Sequence, residues 1–135
     1  RELHDKYPDK VGLRLGFVPD LARKIYAGAD LFLMPSKSEP CGLSQMVALR
    51  YGTLPIVRET GGLKDSVTDS GDGEGNGFTF KTYDAYDMLG AIYRAVDAYN
   101  NKEYWPTLVE RALRCDMSWG KSANEYIKMY KSLLK

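Results

Sequence analysis

One histidine and two cysteines are present among 135 residues, and these shortages set the first limits. His4, near the start, leaves no internal base for a Ser/His/Asp or Cys/His arrangement. Cys41 and Cys115 cannot make a disulfide framework or a metal site, so two free thiols in a reducing compartment are expected. No apolar run is long enough to span a bilayer, and no basic segment leads into an apolar one in the manner of a signal peptide. The formal charge is +1, which gives neither the electrostatic footprint of nucleic-acid binding nor a polybasic membrane patch. The chain opens on Arg1-Glu2-Leu3-His4-Asp5-Lys6 rather than on Met, which suggests a start cut from something longer.

What is present is ordinary globular material: 44% hydrophobic and 27% charged residues. Val11 to Phe17 alternates and reads as a short strand. Pro19-Asp20 opens a helix that Asp20 can cap, with Leu21, Ile25 and Ala29 on one face. Leu31-Phe32-Leu33-Met34, stopped by Pro35, has the pattern of a strand buried on both faces. A helix from about Gly42 to Tyr51 follows, striped by Leu43, Met46, Val47 and Leu49 and ended by Gly52. Leu54 to Val57 is a second buried strand, and Thr60-Gly61-Gly62-Leu63 turns into a short helix containing Val67. Asp69 to Gly77 alternates glycine with polar residues, which predicts a mobile surface loop that forms no core. A short strand, Gly77 to Phe80, precedes three helices, near Asp84 to Tyr99, Glu103 to Cys115 and onward from Lys121. The expectation is one α/β domain over residues 1–135: a partial, doubly wound parallel sheet to about residue 83, with the three helices over its flank.

In an open parallel sheet, ligands bind beyond the carboxyl ends of the strands. Three connections therefore matter: Gly16 to Asp20, Pro35 to Leu43 and Arg58 to Leu63. In the middle one, Pro40 fixes the turn, Gly42 permits close backbone approach, and the following helix start offers the amides of Cys41 to Ser44 to an anion. Glu39 beside a phosphate would be repelled by it, so it fits a neutral, hydroxyl-rich group attached to that phosphate. Phosphate plus polyol describes a sugar nucleotide. The same spacing also lets Glu39 cap its own helix. Thr60-Gly61-Gly62 repeats the logic with less specificity, and the ring of Phe17, after Gly16, is either core or a platform for a flat base. Cys41 is a helix-start thiolate or a small residue lending its amide. The acidic residues of Asp69 to Glu74 lack the spacing of a calcium loop, and no metal or other cofactor is expected.

Longer strings are more specific. Tyr26-Ala27-Gly28-Ala29-Asp30-Leu31-Phe32-Leu33-Met34-Pro35-Ser36 and Glu39-Pro40-Cys41-Gly42-Leu43-Ser44-Gln45 resemble bacterial glycogen synthases and plant starch synthases. Tyr51 to Arg58, Thr60 to Leu63 and Asp116-Met117-Ser118-Trp119 continue the resemblance in the same order. It implies the C-terminal Rossmann-like half of a GT-B transferase that moves glucose from ADP-glucose to the non-reducing end of an α-1,4-glucan. Configuration would be retained without a required metal.

By that resemblance Glu39 contacts the donor sugar and is the catalytic candidate, and Cys41 and Gly42 approach the glucose hydroxyls. Leu43, Ser44, Thr60 and Gly61 lie with the phosphates. Gly16 and Phe17 lie with adenine, Phe17 standing where a Tyr is usual. Val47 occupies the place where many other GT-B families carry a second Glu. The basic pair that neutralises the diphosphate, and the residues of the other half, match nothing in the chain, so the chain alone is expected to be inactive. A truncated Rossmann half also leaves a sheet edge and helix faces uncovered, so self-association by edge pairing or through the last helix is expected. A bacterial cytoplasm or plastid stroma is implied. The rival readings are a non-catalytic nucleotide- or glucan-binding module and a GT-B transferase that uses UDP-glucose.

Overall fold

The structure is a computed structural model that describes residues 1–134. A short helix, α1 (Glu2–Lys6), carries His4, whose Nδ1 lies 2.6 Å from the Val11 carbonyl oxygen. Residues 7–18 then run without helix or strand. The strand expected at Val11 to Phe17 is therefore not formed. Extended backbone needs a ladder partner, and residues 12–17 make no backbone hydrogen bond among the described residues.

Helix α2 (Pro19–Gly28) follows, with Pro19 in the first turn, where its missing N–H costs nothing. Val18, not Asp20, is the N-cap; Asp20 lies inside the first turn and pairs with Arg23 at 2.8 Å. Then come β1 (Leu31–Met34), α3 (Ser44–Arg50), β2 (Leu54–Arg58), α4 (Gly61–Ser66) and β3 (Phe78–Phe80). The chain ends in α5 (Ala85–Asn100), α6 (Trp105–Arg114) and α7 (Trp119–Leu133). Helix α3 starts two residues later than its sequence suggests, because Gly42 has φ +75°, outside helical space for any L residue.

The three strands form one parallel sheet in the order β1-β2-β3, with Leu33 beside Ile56 and Ile56 beside Phe78. Successive side chains of β2 serve opposite faces. Leu54 and Ile56 join Leu49, Phe78, Phe80, Ala91, Ala95, Leu108 and Ala112 in one cluster. Val57 joins Leu63 and Val67 in another, against Met34. A strand covered on both faces is what the apolar run of β2 predicts; β1, expected to be buried in the same way, is an edge strand with no buried residue, and Leu33 is exposed.

Two further expectations fail. The glycine-rich segment is pinned: Asp69 and Asn76 hold it through hydrogen bonds to Gly71, Thr79, Arg94, Thr68 and Ser66, and Gly75 and Gly77 are buried. A Cβ on Gly75 would lie 2.0 Å from the Asp69 carbonyl oxygen, so glycine serves close packing there rather than mobility. Helix α7 does not cover the sheet; none of its residues is buried, and Trp119 is 87% exposed. Its apolar positions follow helical spacing, but they pack on no other element to any depth.

Candidate functional site

Strands β1 and β2 are parallel neighbours, so the segments leaving their carboxyl ends emerge side by side. Residues 35–43 and 59–62 meet there. The Gly62 amide donates to the Glu39 carbonyl at 3.2 Å. A Cβ on Gly61 would sit 2.2 Å from the Glu39 carbonyl oxygen, and one on Gly62 would sit 2.0 Å from that of Cys41. Gly61 also has φ +44°. Both glycines are dictated by the approach of one loop to the other. Glu39, Cys41, Gly42, Leu43, Ser44, Thr60 and Gly61 are thus gathered at one edge of the sheet.

The carbonyls of the first loop face inward. Gln45, fully buried, donates from Nε2 to the Gly42 carbonyl at 2.8 Å and to that of Cys41 at 3.3 Å. A peptide unit is planar and trans, so its N–H points opposite to its C=O. The amides of Gly42 and Leu43 therefore face away from Gln45, and they donate no hydrogen bond among the described residues. The loop presents two aimed, unpaired N–H groups, which can donate to a hydroxyl or a phosphate oxygen.

Glu39 is half-buried at the entrance to this loop, and its carboxylate joins no ion pair among the described residues. Helix α3 has Leu43 as N-cap and no side-chain cap bond, so Glu39 does not cap it. Arg58, ending β2, steadies the approach: its Nε donates to the Ser36 carbonyl at 3.0 Å and its Nη2 to that of Lys37, and its guanidinium lies 5.9 Å from the Tyr83 ring. The Cys41 thiol is exposed, with only a 3.9 Å contact to its neighbour's carbonyl.

Gly16 and Phe17 stand apart from this contact. A Cβ on Gly16 would meet nothing within 4 Å, and Phe17 is 94% exposed. As a finding about packing, this removes the core reading of Phe17.

Gln45, Ser66 and Arg58 are the residues that a reading of the sequence as site chemistry passes over. The apolar stripe assigned to α3 is rotated: its buried residues are Gln45, Ala48 and Leu49, whereas Leu43 is 68% and Val47 37% exposed. A glutamine three and four residues after the Cys41-Gly42 pair is the one local signal, since that spacing lets it reach back to both carbonyls.

A family model described as glycosyl transferases group 1 matches residues 8–106. The chain belongs to this family. Among its relatives, the glycogen synthase of Bacillus cereus (strain ATCC 10987 / NRS 248) is 55% identical over 96% of the chain. That of Geobacillus thermodenitrificans (strain NG80-2) is 58% identical over 96%. The catalytic domain of starch synthase IV from Arabidopsis thaliana, solved bound to ADP and acarbose, superposes with a TM-score of 0.87 at 42% identity over 97% of the chain. Sucrose-phosphate synthase from Thermosynechococcus elongatus, at 23% identity and a TM-score of 0.68, shares the fold. The chain spans 28% and 27% of the lengths of the two glycogen synthases and 28% of the starch synthase chain. Its sheet is accordingly part of the Rossmann-like layering of a GT-B group 1 glycosyltransferase, as the sequence led one to expect.

Proposed function

We propose that this chain is the donor-holding part of a glycogen or starch synthase, which transfers glucose from ADP-glucose to the non-reducing end of an α-1,4-glucan with retention. The observation that carries the reading is the pair of outward amides, Gly42 and Leu43, beside the unpaired carboxylate of Glu39. The relatives named above support the choice of reaction. Glu39 would hold the donor glucose and act on its reacting face, with the Cys41 and Gly42 amides on its hydroxyls. Leu43, Ser44, Thr60 and Gly61 would bear the phosphates of the leaving nucleotide. Charge that develops on a departing diphosphate is stabilised by amides already in place, at no cost of reorganisation. Phe17, exposed after Gly16, would lie under adenine.

In the same reading the 135-residue chain does not transfer glucose alone, because no Arg or Lys of the described residues is assigned to the diphosphate. Self-association would run through α7 or through the edge of β1 opposite β2. Among the described residues, no helix is long and apolar enough to cross a membrane, and a bacterial cytoplasm or plastid stroma is the proposed setting.

The test uses the full-length polypeptide that carries this segment. It should elongate a glycogen primer with ADP-glucose in preference to UDP-glucose. Glu39→Ala should lower the rate by roughly 10²-fold or more while leaving ADP affinity largely intact. Absence of transfer, or an unchanged rate in Glu39→Ala, would overturn the reading.

A further inference from the structure

We propose that Gln45 and Ser66 are positioning residues of the donor site: Gln45 aims the Gly42 and Leu43 amides by holding the carbonyls behind them, and Ser66 holds Gln45. The inference rests on the donor-site reading above. Gln45 Nε2 has two hydrogens, and three acceptors surround it: Gly42 O at 2.8 Å, Ser66 Oγ at 3.0 Å and Cys41 O at 3.3 Å. The Ser66 hydroxyl passes its own hydrogen on to the Gly62 carbonyl at 2.6 Å. One chain of hydrogen bonds therefore runs from the first loop, through two side chains, into the glycine turn that faces it.

The orientation of the Gln45 amide follows from its surroundings. Turned over, it would set Oε1 against two carbonyl oxygens. As it stands, Oε1 is buried without a partner, and an unsatisfied buried acceptor is costly. That penalty is accepted where a methionine or leucine would fill the same space without it. What only the amide supplies is direction: two peptide planes fixed with their C=O inward and the N–H groups of Gly42 and Leu43 outward. Volume alone would leave both planes able to rotate. Ser66 acts through Gln45: its hydroxyl oxygen accepts from Nε2 at 3.0 Å and its hydrogen goes to the Gly62 carbonyl at 2.6 Å, which ties the glutamine amide to the opposing turn.

In the full-length polypeptide, Gln45→Met and Ser66→Ala should each lower kcat/KM for ADP-glucose by about tenfold or more, since misplacement of an ångström costs roughly 10²-fold. The KM for the glucan primer should stay within about twofold, a split that general loosening of the fold would not give. Ser66→Thr keeps the hydroxyl and should restore donor kcat/KM to within about threefold of the parent. All assays are run well below each variant's melting temperature. Unchanged donor kinetics in both variants, donor and primer parameters falling together, or no rescue by Thr would overturn the inference. If the parent itself transfers no glucose, the donor-site reading fails, and the inference fails with it; if only the variants behave as the parent does, the inference alone is wrong.

Discussion

The main-chain amide of Gly62 donates to the carbonyl of Glu39 at 3.2 Å, across two loops that leave neighbouring strands. That bond makes the glutamate loop and the glycine turn one structural unit, although 23 positions separate the two residues in sequence. The position of Glu39 is therefore set as much by the chain around residue 62 as by its own neighbours.

A side chain at either glycine should break this unit. Gly62→Ala places a Cβ 2.0 Å from the Cys41 carbonyl oxygen, a backbone atom that cannot swing aside. Gly61→Ala adds a strained φ of +44° to a 2.2 Å clash with the Glu39 carbonyl. Overpacking and a disfavoured φ each cost about 1–3 kcal/mol. Urea unfolding midpoints of both variants should fall by that order. A shift below about 0.5 kcal/mol, the usual effect at an open surface position, would mean that the loops are not in contact.

Much of this arrangement was legible in the sequence, and the remainder failed for identifiable reasons. Strands β1 and β2 announce themselves as short apolar runs bounded by Pro35 and Gly52, and Asp84 caps α5 through the amides of Tyr86 and Asp87 as its residue type suggests. The positions of Glu39, Gly42 and Gly61 at one sheet edge followed from strand–helix alternation alone. Local pattern could not show that Val11 to Phe17 lacks a ladder partner, since pairing belongs to the sheet and not to the strand. Nor could it show that Asn76, by reaching the Cys115 sulfur at 3.2 Å, would fix a glycine-rich loop. The buried face of α3 departs from its apolar stripe because one of its three buried residues, Gln45, is polar.

The Asp69 carboxylate should make stability depend on acid pH. Burial by itself raises its pKa, but the Thr79 and Gly71 amides, the Arg94 guanidinium at 2.7 Å and the Thr79 hydroxyl outweigh that and hold it below the usual aspartate value. A lowered folded-state pKa contributes stability that is complete above the unfolded value of about 3.9 and disappears as pH falls through the folded one. Asp69→Asn should lose roughly 1.5–3 kcal/mol at neutral pH, as expected for a charge-assisted hydrogen bond. It should also flatten the decline of stability below about pH 4. Equal acid sensitivity in parent and variant, followed by urea denaturation across pH, would sink the assignment.

Two phenylalanines should behave oppositely. Phe78 is 1% exposed at the centre of the main cluster, so Phe78→Ala should cost about 3–5 kcal/mol. Phe17 is 94% exposed, so Phe17→Ala should change stability by no more than about 0.5 kcal/mol. In the full-length polypeptide, the same Phe17→Ala should weaken ADP binding by about 0.5–1.5 kcal/mol, the value of one aromatic contact. Calorimetric titration with ADP decides this. Undiminished affinity would remove Phe17 from the nucleotide site.

Helix α7 should be dispensable for folding and responsible for association. None of its residues is buried; Trp119 and Leu133 are 87% and 74% exposed, and Leu134, just beyond its end, is 86% exposed. Ending the chain at Ser118 removes little packed surface, so the urea midpoint should move by less than about 0.5 kcal/mol. It also removes a helix whose apolar residues are exposed, which in a second copy would find their equivalent. Sedimentation of the 135-residue chain should show concentration-dependent association, and the shortened chain should sediment as a monomer. Association that survives the truncation but is abolished by Leu33→Lys would place the contact on the edge of β1, where Leu33 is 43% exposed and a lysine blocks strand pairing. A 135-residue chain that stays monomeric at every concentration would refute both routes.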